Sequence, residues 1–144
     1  MYDRILLPTD GSDASLAAAT HAGSLARTAG ATVHVVSVAD SRNRFESPSS
    51  GLAPDAWREA ERDRAEAAVA DTVDRLPSAV DVERTVTTGI PQDEIRSLVA
   101  ETDADVVVMG THGRSGLDRY LLGSVTERIV RQSPVPVLTV RADA

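Results

Sequence analysis

The 144-residue chain has no cysteine, which excludes disulfides, thiolate-bound zinc and thiol nucleophiles and is compatible with a reducing compartment. Lysine is missing too: all fifteen basic residues are arginines, set against twenty-two acids. Without lysine there is no P-loop of the form G-x4-G-K-[ST], and the dinucleotide fingerprint G-x-G-x-x-G does not occur. Aromatic residues number only four. That scarcity, with the acid excess, suits a salt-rich cytoplasm, although a GC-rich genome would equally favour arginine over lysine. No apolar run approaches the ~20 residues of a membrane span, and no basic start precedes an apolar stretch, so a cytoplasmic protein with no membrane partner is expected. The net charge of −7 argues against nucleic acid as a partner, since phosphate contacts draw affinity from clustered cations.

What is present reads as one domain over residues 1–144. Short β-like runs alternate with longer helical ones. Strands are expected at Arg4 to Pro8, at Thr32 to Val38, in "VDVERTVTT", in "DVVVMG" and in "PVPVLTVR". Between them lie an Ala-rich helix closing at Gly30, a long amphipathic helix from Asp55 to Leu76 ended by Pro77, and a helix opening at Pro91. A fourth helix is expected from Ser124, with Ser124 and Glu127 forming a capping box. Residues 39–54, rich in Ser, Pro and Gly, read as a mobile surface loop. "DVVVMG" is continuously apolar, as a strand buried on both faces is, whereas Arg84 spoils the third run and suggests an edge. Five strands interleaved with four helices imply a doubly wound α/β fold: a five-stranded parallel sheet with helices on both faces. Ligands of such sheets sit beyond the carboxyl ends of the strands, here "LLPTDGS", "VSVAD", "TTGIP" and "VMGTHGRSG".

Gly110, Gly113 and Gly123-Ser124 form a G-x2-G-x9-G-[ST] pattern that begins at a strand end and finishes on a helix start. Glycines let amides approach an oxyanion closely, and a helix N-terminus binds phosphate. The bland alternative is a flexible loop and an ordinary helix cap. Asp10 would hold a metal with phosphate oxygens, or serve as half of an Asp-Gly turn. His112 would donate to phosphate, act as acid or base, or only position backbone. Arg114 and Arg119 offer charge or are solvated, His21 and His34 read as structural, and Trp57 reads as a packing anchor.

"LLPTDGS", "TTGIPQDEI" and "MGTHGRSGLDRYLLGSV" together resemble the universal stress proteins, in particular their ATP-binding branch, over Arg4 to Val140. The resemblance implies a Rossmann-like fold of the adenine nucleotide alpha hydrolase type. It further implies ATP, or another adenine nucleotide, bound with Mg²⁺ or Mn²⁺. Pro8, Thr9 and Asp10 match the segment contacting ribose and adenine, with Asp10 also near the phosphates or their metal. Val38 matches the backbone position reading the adenine edge, Gly89, Ile90 and Pro91 line the base pocket, and Met109 and Gly110 lie beside the ribose. His112, Gly113, Arg114, Gly123, Ser124 and Val125 match the phosphate-binding turn and helix start. A homodimer through the last strand is implied, in a stress-response or signalling module that acts on an unidentified protein partner and hydrolyses ATP slowly if at all. Two other readings stand beside this one. The first is an ATP-cleaving or adenylating enzyme, since "TDGSDAS" at Thr9 to Ser15 resembles the S-G-G-x-D-S loop of ATP pyrophosphatases without its paired glycines. The second is an interaction protein whose nucleotide pocket is vestigial.

Overall fold

The computed structural model describes residues 2–41, 54–112 and 122–142. Five strands, β1 (Arg4–Pro8), β2 (Thr32–Asp40), β3 (Val82–Gly89), β4 (Val106–Gly110) and β5 (Val137–Val140), form one parallel sheet in the order β3-β2-β1-β4-β5. The helices are α1 (Asp13–Ala29), α2 (Pro54–Val73), α3 (Pro91–Glu101) and α4 (Ser124–Gln132). Successive side chains of a strand point to opposite faces, so a stretch covered on both, as Ile5 to Leu7 of β1 and Val106 to Met109 of β4 are, is continuously apolar. Ile5, Leu7, Val33, Val35, Val106 and Val108 face α1 and α2, while Leu6, Val36, Val107 and Met109 face α3 and α4. The doubly wound architecture expected from the sequence is the one observed, and β3, with Arg84 exposed, is an edge strand. The order places β1 centrally: the chain leaves it toward β2 and β3, then crosses to β4 and β5 on its other side. The crevice between the carboxyl ends of β1 and β4 is therefore the topological switch point.

Local signals explain the helix ends. The Ser12 side chain caps α1 by accepting from the Ser15 N–H, and Gly30 closes that helix at φ 70°, a left-handed conformation that suits glycine. Alanines 14, 18, 19, 22 and 26 are buried along α1, so the helix sits close to the sheet. Pro91 opens α3 at a position whose amide has no intrahelical partner in any case. Two expectations need correction. The long helix ends at Val73 instead of Leu76, because the Arg75 and Leu76 amides bond three residues back, to Thr72 and Val73, and tighten the chain into a turn ahead of Pro77. Nor does the capping box at Ser124 form. Gly123 is the N-cap, its carbonyl accepting the Glu127 N–H at 2.9 Å, and Glu127 instead pairs with Arg131 one turn on at 3.1 Å.

Candidate functional site

The turn after β1 is built from side-chain to backbone hydrogen bonds. Thr9 donates its N–H to Val36 and so extends the sheet by one bond, after which Gly11 takes φ +78° and turns the chain into α1. The Asp10 carboxylate fixes the turn: its Oδ1 accepts from the Ser12 N–H at 3.0 Å and from the Ser15 hydroxyl at 2.9 Å. Beneath it lies a second network. The Thr9 and Thr72 hydroxyls are 2.7 Å apart, Thr72 lies 2.7 Å from the Ala68 carbonyl, and the Gly11 N–H bonds Thr9 Oγ1 at 3.1 Å. A carbonyl only accepts, so the Thr72 proton goes to Ala68 and the Thr9 hydroxyl donates to Thr72. The resulting chain of donors ties the turn to α2.

The end of β4 meets this turn directly. A Cβ on Gly110 would lie 2.7 Å from both the carbonyl carbon and the Cβ of Ala14, and 2.9 Å from the Ser15 nitrogen. Gly110 therefore lets the first turn of α1 lie against β4, a packing role that the glycine pattern alone did not indicate. The start of α4 is drawn to the same place: the Gly123 N–H donates to Thr111 at 2.7 Å, and the Thr126 hydroxyl to the Gly110 carbonyl at 2.8 Å. The Glu127 N–H is the first to enter the helical ladder, so the amides of Ser124, Val125 and Thr126 are those that a helix leaves unpaired at its N-terminus. Here the N-cap residue is Gly123, which has no side chain to cap them. A helix end of this kind, with its partial positive dipole, is chemically suited to an anion. His112 sits beside it, with Nδ1 3.1 Å from the Thr111 hydroxyl and its carbonyl 3.5 Å from Ser12 Oγ. Gly113, Arg114, Gly116 and Arg119 lie outside the described residues, as do residues 42–53 of the expected surface loop, whose ends Ala39, Asp40 and Pro54 belong instead to β2 and α2.

The other side of the crevice is apolar. β2 runs to Asp40, paired only with β3 once β1 has stopped at Pro8. The Val36 carbonyl points toward β1, where the Thr9 N–H meets it. Backbone direction alternates along a strand, so the Val38 N–H and carbonyl point the same way two residues later, into the crevice past the end of β1. Val38 and Met109 flank this opening on the α3 face of the sheet. Gly89, Ile90 and Pro91 carry the chain from β3 into α3, and Ile90 is 37% exposed despite its size. Thus Pro8, Thr9, Asp10, Val38, Met109, Gly110, His112, Gly123, Ser124 and Val125 come together around the switch point, with Gly89, Ile90 and Pro91 at its rim.

Among the described residues no group of three or more His, Asp or Glu side chains could hold a metal ion. A carboxylate at the position of Asp10 fits a cation held mainly by ligand oxygens, because Mg²⁺ commonly takes one or two carboxylates with phosphate oxygens. The displaced pKa values lie toward the other end of the sheet. The Asp3 and Arg4 amides, donating at 2.7 and 2.9 Å, hold the Asp105 carboxyl below its ordinary value. Burial lowers that of His34, with Arg4 adding to the effect and Glu83 opposing it. Trp57 is buried on α2 at i−4 from Glu61, as the packing reading expects. Sequence reasoning missed the Thr9–Thr72 network, although a threonine in the stripe Ala65, Ala68, Thr72 marks a polar group on a buried helix face.

Fold and site together define a doubly wound α/β domain with a glycine-capped helix N-terminus at the carboxyl end of its sheet. The chain belongs to the universal stress protein family, whose model matches residues 1–141. It is 36% identical over 146 residues to the universal stress protein MJ0531 of Methanocaldococcus jannaschii, covering 98% of this chain and 83% of that one. Its fold is similar to that of the solved M. jannaschii protein MJ0577, with TM-score 0.75 and 30% identity over 98% of this chain and 96% of that one. A universal stress protein solved in complex with cAMP is also 30% identical, with TM-score 0.63 and 98% of each chain covered. No described helix is long and apolar enough to cross a membrane.

Proposed function

We propose that this protein binds ATP, accompanied by Mg²⁺ or Mn²⁺, and acts as a nucleotide-dependent stress or signalling module. The observation that carries this reading is the N-terminus of α4: it lies at the carboxyl end of β4, where the Gly123 N–H meets Thr111, and the residue that would cap it is glycine. Phosphate takes the place of a capping side chain. On the opposite wall the Val38 peptide offers one donor and one acceptor, the pair that an adenine edge requires, between the apolar side chains of Met109 and Ile90. The 30%-identical relative in complex with cAMP supports an adenine nucleotide as the ligand. Asp10, oriented by Ser12 and Ser15, is the carboxylate that would hold the cation, which would neutralise phosphate charge when bound.

The same reading makes the protein a homodimer through β5, an edge strand whose Leu138 is 42% exposed. Sedimentation equilibrium should give two chains per particle, and a monomer at all concentrations removes this part. For the ligand itself, mass spectrometry of nucleotides released from purified protein is combined with titration of ATP, AMP and cyclic AMP, with and without Mg²⁺. Binding of ATP, strengthened by the cation, is expected. If no adenine nucleotide binds at millimolar concentration, the reading is wrong. Incubation of the ATP complex for hours then separates a binding module, which returns ATP intact or cleaves it slowly, from an enzyme that turns it over.

A further inference from the structure

Threonines on helices ordinarily return their hydroxyl proton to their own helix, and Thr20, Thr72 and Thr102 each donate to the carbonyl four residues back. Thr126, in the first turn of α4, does not. Its buried hydroxyl donates at 2.8 Å to the carbonyl of Gly110, the last residue of β4. The ladder sets the direction of that carbonyl. The Val107 and Thr111 amides donate to Pro136 and Val140, so these two residues point to β5. Backbone direction alternates along a strand, and the Gly110 carbonyl therefore points the other way, toward β1. Gly110 comes after Val107, the last β4 residue paired with β1. The Thr126 hydroxyl thus supplies a donor to a strand-end carbonyl on the switch-point side of β4, and it brings the first turn of α4 to that place.

Two bonds to the end of β4 therefore fix α4 at its start. The Gly123 N–H, meeting the Thr111 carbonyl at 2.7 Å, holds the N-cap, and the Thr126 hydroxyl holds the turn that follows. Ser124 and Val125, whose amides stand outside the helical ladder, lie between these anchors. With one anchor removed the turn can pivot about the other, and a hydrogen bond weakens steeply as its donor swings out of line. We propose that Thr126 is a positioning residue for the phosphate contacts: its hydroxyl holds the Ser124 and Val125 amides where a nucleotide's phosphates require them, and so sets the preference for ATP over adenosine. This inference rests on the nucleotide reading above, and it assigns part of the affinity for phosphate to a buried side chain that does not touch the ligand.

The test compares ATP with adenosine, which shares the base and ribose and lacks the phosphates, by calorimetric titration with Mg²⁺. The unaltered chain should prefer ATP. Thr126→Val keeps the shape of the side chain without its donor, and the ATP-to-adenosine ratio should shrink about tenfold, the equivalent of one net hydrogen bond. The change should come through weaker ATP binding, with adenosine affinity unaltered. Thr126→Ser, which retains the hydroxyl, should restore most of the ratio. Thr126→Ala, a better helix former that also lacks the donor, should repeat the valine result and carries the test if the valine variant does not fold. A ratio unchanged in the variants without a hydroxyl, even where both affinities fall together, overturns the inference and leaves the nucleotide reading intact. A ratio lost equally in Thr126→Ser assigns the effect to packing and overturns it as well. Failure of the unaltered chain to bind ATP overturns both the inference and the reading.

Discussion

Replacing Gly110 by alanine tests whether this glycine is a packing residue that assembles the site. The added Cβ would lie 2.7 Å from the Ala14 carbonyl carbon and Cβ and 2.9 Å from the Ser15 nitrogen. Carbon contacts settle near 3.5–4.0 Å, so either α1 or β4 must retreat by about 1 Å. Two of the three close atoms are backbone, and no rotamer change can relieve them. Overpacking of this kind costs about 1–3 kcal/mol. In a domain of this size that lowers the melting temperature by about 3–10 °C, measurable by circular dichroism. Retreat of α1 also pulls Ser12 and Ser15 from the Asp10 carboxylate, so ATP affinity should fall together with stability. Gly30→Ala is the control: nothing lies within 4 Å of its Cβ, and its cost, about 1 kcal/mol, comes only from the left-handed φ. If Gly110→Ala is no more destabilising than Gly30→Ala, and ATP affinity is unchanged, the packing argument is wrong.

Thr72→Val removes the middle hydroxyl of the chain from Thr9 to Ala68 in a fully buried position, and should cost about 1–2 kcal/mol in urea unfolding. An unaltered midpoint would mean that the network contributes nothing to stability. Asp105 has a lowered carboxyl pKa in the folded state, so its contribution is present above the unfolded carboxylate value, near 3.9, and is lost as pH falls through the lower folded one. Stability of Asp105→Asn should depend less steeply on pH below about 4 than that of the unaltered chain. Parallel acid-unfolding curves would show that the Asp3 and Arg4 amides do not act on this carboxylate.

Much of the fold could be read from residue patterns because the physics there is local. "DVVVMG" is apolar at every position because β4 is buried on both faces, and Gly30 and Pro91 end and begin helices through their own backbone restrictions. The exposed arginine at position 84 marked the edge strand correctly. What escaped sequence reasoning depends on partners distant in the chain. Gly110 meets Ala14, Thr9 meets Thr72, and nothing near either residue announces the contact. Ser124 and Glu127 have the spacing of a capping box, yet the box forms only if Ser124 is the N-cap. Tethering of the Gly123 amide to Thr111 places the cap one residue earlier. That shift bears on the proposed function, because a serine cap would have used amides that a glycine cap does not.

Gly123 provides the most direct test of the central claim, that the α4 N-terminus is a phosphate-binding end. Its φ of −64° and ψ of 156° are open to any residue, so Gly123→Val can fold with the backbone unchanged at a modest loss of helix capping, about 1 kcal/mol. The isopropyl group would stand where phosphate oxygens must approach the amides of Ser124 and Val125. Calorimetric titration of ATP with Mg²⁺ into the folded variant should show that binding is lost. An affinity equal to that of the unaltered chain would place the phosphates elsewhere and contradict the account.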